Sequence, residues 1–368
     1  MADLRIEKVR DMTGVEAVAD EWDACLARSR LSGNVFASSE WVLAWWTQYG
    51  TGFDPCILLA RKRESGELAA ILPLFARRVG PFRGLELIGK YTSNGLDMVL
   101  PMDNEAADRV CNAFIQFLSA QRSKWDFIYN FVTDFKYGGL PLLTRMARSD
   151  GLPYRARENS TIHYVDITGV WDDFLQSKSR NFRQQMGKKR RRIERELSAV
   201  FRKESTGLNA EELIRICRQI DAKSWKAEGG KLFFSESEGA PFFRQVFPRI
   251  IDRGWLETWF IDVDDKPIAY IIVLCNGENS YFYRTGYDET YAHYSPGLCI
   301  YYAAVENQFE LGRKRCSFML GDEPYKDRFA TETVPRQQLY LFSPTLKGRL
   351  LRTLIGWKWR KSRLSSGT

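Results

Sequence analysis

The sequence predicts a mixed α/β protein: two consecutive domains of one plan, each an α+β arrangement of a mixed sheet with flanking helices. Three observations carry this. The order strand, helices, antiparallel strands, long helix, strand runs once through residues 1–158 and again through 159–345. Each pass holds a hairpin of two apolar runs closed by a polar turn, around Glu64-Ser65-Gly66 and around Asp264-Asp265-Lys266-Pro267. A chain of 368 residues, 44% hydrophobic and 14% aromatic, is long for one core and comfortable for two. No short repeat at a fixed period accompanies the doubling, which excludes a solenoid.

In the first domain, LRIEKVR reads as a strand, followed by helices over Val15–Ala27 and Ser39–Gln48. The hairpin strands lie between Pro55 and Val79, and GLELIG is a further strand. A long helix over Glu105–Gln121, the strand DFIYNFV and a short Gly-terminated helix in LPLLTRMARSDG complete it. The boundary is expected in YRARENST, between Tyr154 and Thr161. The second domain opens with the strand IHYVDI and one helix from Val170 to Leu197, then the strand SAVFRKES. Two helices, ELIRICRQIDAKSW and PFFRQVFPRIIDRG, precede the hairpin LETWFIDV/IAYIIVLC and the strand SYFYRTGYD. A helix over Pro296–Leu311, the strand CSFML, the segment EPYKDRFATE and the strand QQLYLF close it. Residues 346–368 form a basic amphipathic tail.

The net charge of +8 is unevenly spread. Lys178–Lys203 carries +9 and Leu346–Thr368 carries +7, so the rest of the chain is acidic at −8. Basic segments of this kind fit phosphates, anionic glycans or a membrane surface, and equally a solvated charged face. The apolar run Ile268–Cys275 has the length of a buried strand, far short of a membrane span. The N-terminus lacks the apolar core of a secretion signal. Seven scattered cysteines without C-x-x-C give neither a disulfide framework nor a zinc pattern, and only His163 and His293 are available as imidazole ligands. Reduced buried thiols, a cytoplasmic location and no metal are the expectation.

Two stretches carry candidate chemistry. Ser295 followed by Pro296 has the form of an N-capped helix start, and Gly297 leaves room for something to approach the backbone. Free N–H groups of Gly297, Leu298 and Cys299 can hold a phosphate or a carbonyl there; an ordinary helix start packed on a sheet has the same sequence. Cys299, at a helix N-terminus, is a secondary candidate nucleophile. LGDEPYKDRFA follows a buried strand, where ligands of α/β sheets sit. Tyr325 can protonate a leaving group, Lys326 can neutralise developing negative charge, and Asp322 or Glu323 can accept a proton. Asp327 and Arg328 read best as a salt-bridged helix start. Candidate acceptor-binding residues are Trp225, Lys226, Arg284 and Asp97; a Trp beside Gly-Gly stacks on a sugar or packs a core with equal ease.

FASSEWVLAWW, SWKAEGG, YSPGLCIYYAAVE and GDEPYKDRF together resemble the GNAT-superfamily acyltransferases of the CelD-type group of cellulose and exopolysaccharide biosynthesis, which is related to the Fem-type peptidyltransferases. The resemblance covers nearly the whole chain. It implies two tandem GNAT-like domains, the second carrying the donor site. The strands before and after its long helix would splay apart. The pantetheine of acetyl-CoA would add to the gap, and its pyrophosphate would rest at Ser295–Cys299. Tyr325 would protonate the leaving thiolate and Lys326 would stand near the reacting carbonyl. The acceptor implied is a sugar of a glycan or glycolipid precursor. The superfamily's usual loop, Gln/Arg-x-x-Gly-x-Gly/Ala, is replaced here by Ser295-Pro296-Gly297, whose proline removes a donor. Fem-type relatives use aminoacyl-tRNA and commonly carry a helical-hairpin insertion that this sequence lacks, which favours acyl-CoA over nucleic acid. The tail, with Trp357 and Trp359, has the makeup of a helix lying on the inner-membrane surface, or of one docked on the body.

Overall fold

The structure, a computed structural model, describes residues 3–365 apart from 91, 94, 135–138, 206, 208, 229–231, 238 and 322. It divides into two units, residues 1–160 with 334–368, and residues 161–333. The chain begins with β1 (Leu4–Val9), α1 (Met12–Ala17), α2 (Ala19–Ala27), α3 (Ser39–Tyr49), β2 (Asp54–Lys62), β3 (Leu68–Val79), β4 (Phe82–Leu87), α4 (Asn104–Ala120), β5 (Phe127–Asp134) and α5 (Leu140–Ser149). Next come β6 (Tyr154–Asp166), α6 (Trp171–Ser177), α7 (Arg180–Leu197), β7 (Val200–Glu204), α8 (Ala210–Asp221), α9 (Trp225–Glu228) and α10 (Ala240–Asp252). The chain ends with β8 (Leu256–Val263), β9 (Lys266–Asn276), β10 (Asn279–Tyr287), α11 (Pro296–Glu310), β11 (Arg315–Leu320), α12 (Pro324–Phe329), β12 (Glu332–Phe342) and α13 (Leu346–Ser365).

In the first unit β1 to β4 form an antiparallel meander, β4 pairs with β5 in parallel, and β12 closes the sheet antiparallel to β5. Leu58, Leu72 and Leu74 share their core with Phe114 and Ile115 of α4 and with Leu339 and Leu341 of β12. In the second unit β7 to β10 form the meander, β10 pairs with β11 in parallel, and β6 closes the sheet antiparallel to β11. Strand alternation sorts its side chains. Ile271 and Val273 meet Ile193 of α7 and Ile300 and Val305 of α11. The other face buries Tyr270, whose ring contacts Phe234, and the unit also buries Phe242, Phe243 and Phe247 of α10.

The expected fold class is what the structure contains, mixed sheets with flanking helices, and four boundaries differ for local reasons. The helix expected over Val15–Ala27 is two, separated at Val18. The helix expected over 170–197 breaks at Lys178-Ser179, because Ser179 accepts a hydrogen bond from the Phe182 N–H and so starts a helix of its own. The strand expected at IHYVDI begins earlier, at Tyr154, so that YRARENST, where the boundary was expected, is part of β6, and the two units divide between residues 160 and 161. The second domain was expected to run to residue 345, whereas residues 334 onward group with the first unit, since β12 finds its hydrogen-bond partner in β5.

Candidate active site

Strands β10 and β11 are paired only from Asn279↔Arg315 to Tyr281↔Ser317, although they run on to Tyr287 and Leu320. Both are irregular where they part. The β9–β10 register shifts between Phe282 and Arg284, and the β11–β6 register shifts between Ser317 and Leu320. Met319 in that second shift takes a left-handed conformation, φ 58°. A bulge sharpens local twist and turns a strand from its neighbour, so two facing bulges open a wedge. Beyond Tyr281 the β10 edge toward β11 has no ladder partner among the described residues.

Helix α11 backs this wedge. Its entry differs from the expected cap: Ser295 is left-handed, φ 57°, and its side chain caps nothing. Its hydroxyl instead accepts from Lys189 Nζ at 2.6 Å. Its carbonyl accepts from the N–H groups of Leu298 and Cys299, at 3.0 and 3.1 Å. Those two donors are therefore engaged, and Pro296 has none, which leaves Gly297 with the remaining N–H of the first turn. The space at Gly297 is taken by the protein: a Cβ there would lie 3.2 Å from the Tyr287 ring. Cys299 is buried, and burial pushes its thiol up to about 11, which disqualifies it as a nucleophile.

The basic helix α7 runs beside this entry. Arg192 donates to the His293 carbonyl at 3.3 Å with its guanidinium 4.8 Å from the Tyr294 ring centre, and Arg190 pairs with Glu306 of α11 at 2.5 Å. Lys189 and Arg192 thus hold the helix start from within the unit, and Arg190 holds a later turn of α11. Lys188 and Arg191 make no hydrogen bond or ion pair among the described residues and lie exposed.

Tyr325, on α12, lies against α11, its ring centre 5.1 Å from that of Tyr301. The two rings lie against each other; burial lifts the Tyr301 phenol to about 12 and the Tyr325 phenol well above the ordinary phenol range. Tyr301 also packs on Phe282 and Phe318, the side chains flanking the point where β10 and β11 part. Sequence reasoning missed Tyr301 because it sits within an apolar helical run where aromatic residues read as core. Lys326 is only 3% exposed and its ammonium is held by the Leu320 carbonyl at 2.5 Å and by Glu323 at 2.8 Å. Gly321, at φ 127°, is what admits this clasp, since a Cβ there would stand 2.6 Å from Lys326 Nζ. On the same short helix Asp327 Oδ1 meets Nε2 of the buried His163 at 2.8 Å. Asp327 pairs with His163, and Arg328 donates to Gln185.

Arg284 lies on the opposite face of the sheet, its guanidinium between the rings of Phe233 and Tyr283 at 4.0 and 4.1 Å, with Nε unpartnered. Beside that strand, Asp221 accepts from the Tyr270 hydroxyl at 2.8 Å. Trp225 opens the four-residue helix α9 and is 56% exposed, which removes the core-packing reading. Asp322 and the side chain of Lys226 lie outside the described residues. Asp97 belongs to the first unit, buried, where its carboxylate accepts from the backbone N–H groups of Met98 and Gly139 at 2.7 and 2.6 Å. It holds the start of α5.

The first unit has the same parallel pair, β4 and β5, but fills it differently. Glu86 of β4 is buried and bound to Arg77 and Lys90. Its long helix α4 is capped by the carboxylate of Asp103, which would repel an anion at that terminus. Among the described residues no cluster of three or more His, Cys, Asp or Glu is placed to hold a metal.

A family model, Acetyltransf_6, described as an acetyltransferase (GNAT) domain, matches residues 180–327, the stretch from α7 through α11 to Tyr325 and Asp327. The chain is thus an acyltransferase. No curated protein sequence matches it. Solved structures are similar along almost the entire length. The crystal structure of FemX is 12% identical, with TM-score 0.63, covering 95% of this chain and 99% of that one. The C-terminal domain of a putative lysylphosphatidylglycerol synthetase from Agrobacterium fabrum is 13% identical, TM-score 0.55, covering 92% and 95%. L-PGS from Bacillus licheniformis is 12% identical, TM-score 0.55, covering 92% and 96%. At such identities the likeness is one of fold.

Proposed function

We propose that the second unit transfers an acyl group, by preference acetyl, from acyl-CoA to an amine or hydroxyl on the sugar of an exopolysaccharide or its precursor, as in the CelD-type group that the sequence resembles. The observation that carries the reading is the wedge between β10 and β11 with the Tyr325–Tyr301 pair against it. The donor's amide-bearing arm adds to the unpaired β10 edge as a short extra strand. The acceptor attacks the thioester carbonyl, whose developing charge meets β10 backbone N–H groups. The C–S bond breaks, the thiolate takes the proton of Tyr325, the acceptor's own proton passes to water, and water returns a proton to the Tyr325 phenolate. Tyr325 suits this task because burial keeps its phenol protonated. Lys326, closed on Leu320 and Glu323, acts by holding Tyr325 in place. Arg284 and Trp225, on the other face, are the acceptor contacts in this reading.

The second reading is transfer from an aminoacyl-tRNA, as in Fem-type enzymes. It is favoured by the two exposed, unpaired cations Lys188 and Arg191 beside the α11 entry and by the partly engaged donors of that entry, which offer a pyrophosphate one N–H. One assay separates the two. The purified chain is given acetyl-CoA and a panel of amino sugars and polyol glycans, and free thiol is followed. Acceptor-dependent thiol release is the expected result. No release from any acceptor, with transfer appearing only when charged tRNA is supplied, would replace the first reading by the second.

A further inference from the structure

We propose that α13 is a membrane-surface helix: its outward face binds an anionic lipid bilayer and lies in the plane of its headgroups. The contacts described between the helix and the rest of its unit lie on one side. Gly348 and Gly356 let it approach closely, since a Cβ at either would come within about 2.1 Å of Ser343 or Arg155. Arg155 donates to the Arg352 carbonyl at 2.8 Å, the Trp359 ring packs on Tyr340 at 5.6 Å, and Arg157 lies 4.6 Å from the Trp359 ring centre. The opposite side carries Leu346, Leu350, Leu354 and Trp357, which are 86, 55, 47 and 58% exposed. At about 100° per residue these four fall within an arc of roughly 80°. Lys347 and Lys358 flank that stripe on one side and Arg349 on the other.

The chemistry selects the occupant. Residues 346–368 hold seven Lys and Arg and no acid. A second copy of the same face would set these charges against their own kind. A nucleic acid would pair with the cations and leave three leucines in water. The boundary between headgroups and acyl chains accepts both, apolar residues below and cations at the phosphate level. No helix among the described residues is long and apolar enough to cross a membrane, so the proposed mode is binding at the surface. This inference stands independently of the acyl-transfer reading.

The test is flotation of the full-length chain with vesicles of phosphatidylglycerol and phosphatidylcholine, or of phosphatidylcholine alone. The chain is expected to float with the mixed vesicles at low salt, and less as salt rises. Leu350→Ser/Leu354→Ser should lower the partition coefficient at least tenfold, as expected for two leucines left in water. Lys347→Gln/Lys358→Gln should lower it about fivefold per charge on the anionic vesicles only. All four positions are exposed, and circular dichroism melting checks that each variant is folded; Leu346→Ser, at the most exposed site, is the reserve. Failure of the wild type to float with either vesicle overturns the proposal, as does equal partition of the wild type and the folded serine variant. A dimer in sedimentation that the serine variant loses, or retention by RNA without retention by vesicles, overturns it in favour of those partners.

Discussion

The Tyr325 and Tyr301 rings meet under the point where two strands separate, and the proposed mechanism uses Tyr325 as the acid. Both phenols are raised first by burial, and the Glu323 carboxylate raises both further. A donor that stays protonated past neutral pH contributes no alkaline limb of its own to a rate profile. Replacing Tyr325 with Phe removes the proton while keeping the ring packed, so kcat should fall about a hundredfold with acyl-CoA affinity unchanged. Tyr301→Phe removes only the hydroxyl and keeps the ring packed on Tyr325, and it should lower kcat tenfold or less, again without a change in donor affinity. Steady-state kinetics beside isothermal titration of acetyl-CoA reads both effects. Equal losses in the two variants would show that the pair acts as one packing unit and that Tyr325 has no special part. The sequence made Tyr325 visible, since a Tyr-Lys after a buried strand and a glycine is conspicuous. It could not show Tyr301, whose importance comes from a contact across the fold.

The segment from Asp288 to Gly297 is the element on which the site turns, and here sequence reasoning was half successful. A helix beginning at Pro296 was legible from Ser-Pro-Gly and the apolar period after it. Ser295 stands at the N-cap position of α11 but its side chain makes no capping bond and its backbone supplies a left-handed kink; the Asp288 side chain caps the separate 3-10 turn Glu289–Tyr294. Nothing local distinguishes a capping Ser from a kinked one; the Lys189 contact that holds it comes from more than a hundred residues away. Asp288 also gives this junction a pH dependence. Burial raises its carboxyl, but the Thr290 hydroxyl at 2.6 Å, Lys223 at 3.0 Å and the Thr290 N–H outweigh that, so its folded pKa lies below the usual aspartate value. Its stabilising effect is therefore fully present above the unfolded aspartate range near 4 and is lost as pH falls through the lower folded value. Asp288→Ala should cost about 1 kcal/mol at neutral pH, the ordinary worth of a cap. Urea unfolding of wild type and variant should converge as the solution is acidified. A gap that stays constant with pH would mean that the carboxylate charge is not what holds the turn.

At the scale of the whole chain, duplication was readable because each half repeats one order of strands and helices. What the order could not convey is which strand closes which sheet. Strand β6 begins at Tyr154 and not at Ile162, since Arg155 and Arg157 alternate with Tyr154 and Ala156 as in a strand with one polar face. Strand β12 follows the second domain in sequence, yet its register runs from Arg336↔Asp134 to Phe342↔Phe127 along β5. Pairing partners far apart in sequence leave no local signature. The consequence is that the C-terminal strand belongs to the structural core of the first unit. Leu339, Leu341 and Phe342 are fully buried there, and their burial is worth about 5–9 kcal/mol in all. That is of the order of a domain's entire stability. A chain ending at Thr333 should therefore lose the first unit, seen as rapid proteolysis within residues 54–87, while a chain ending at Ser343, which keeps β12 and drops α13, should resist cleavage there. Protection of residues 54–87 in the shorter chain would show that β5 is stable as a sheet edge and that β12 is an accessory strand.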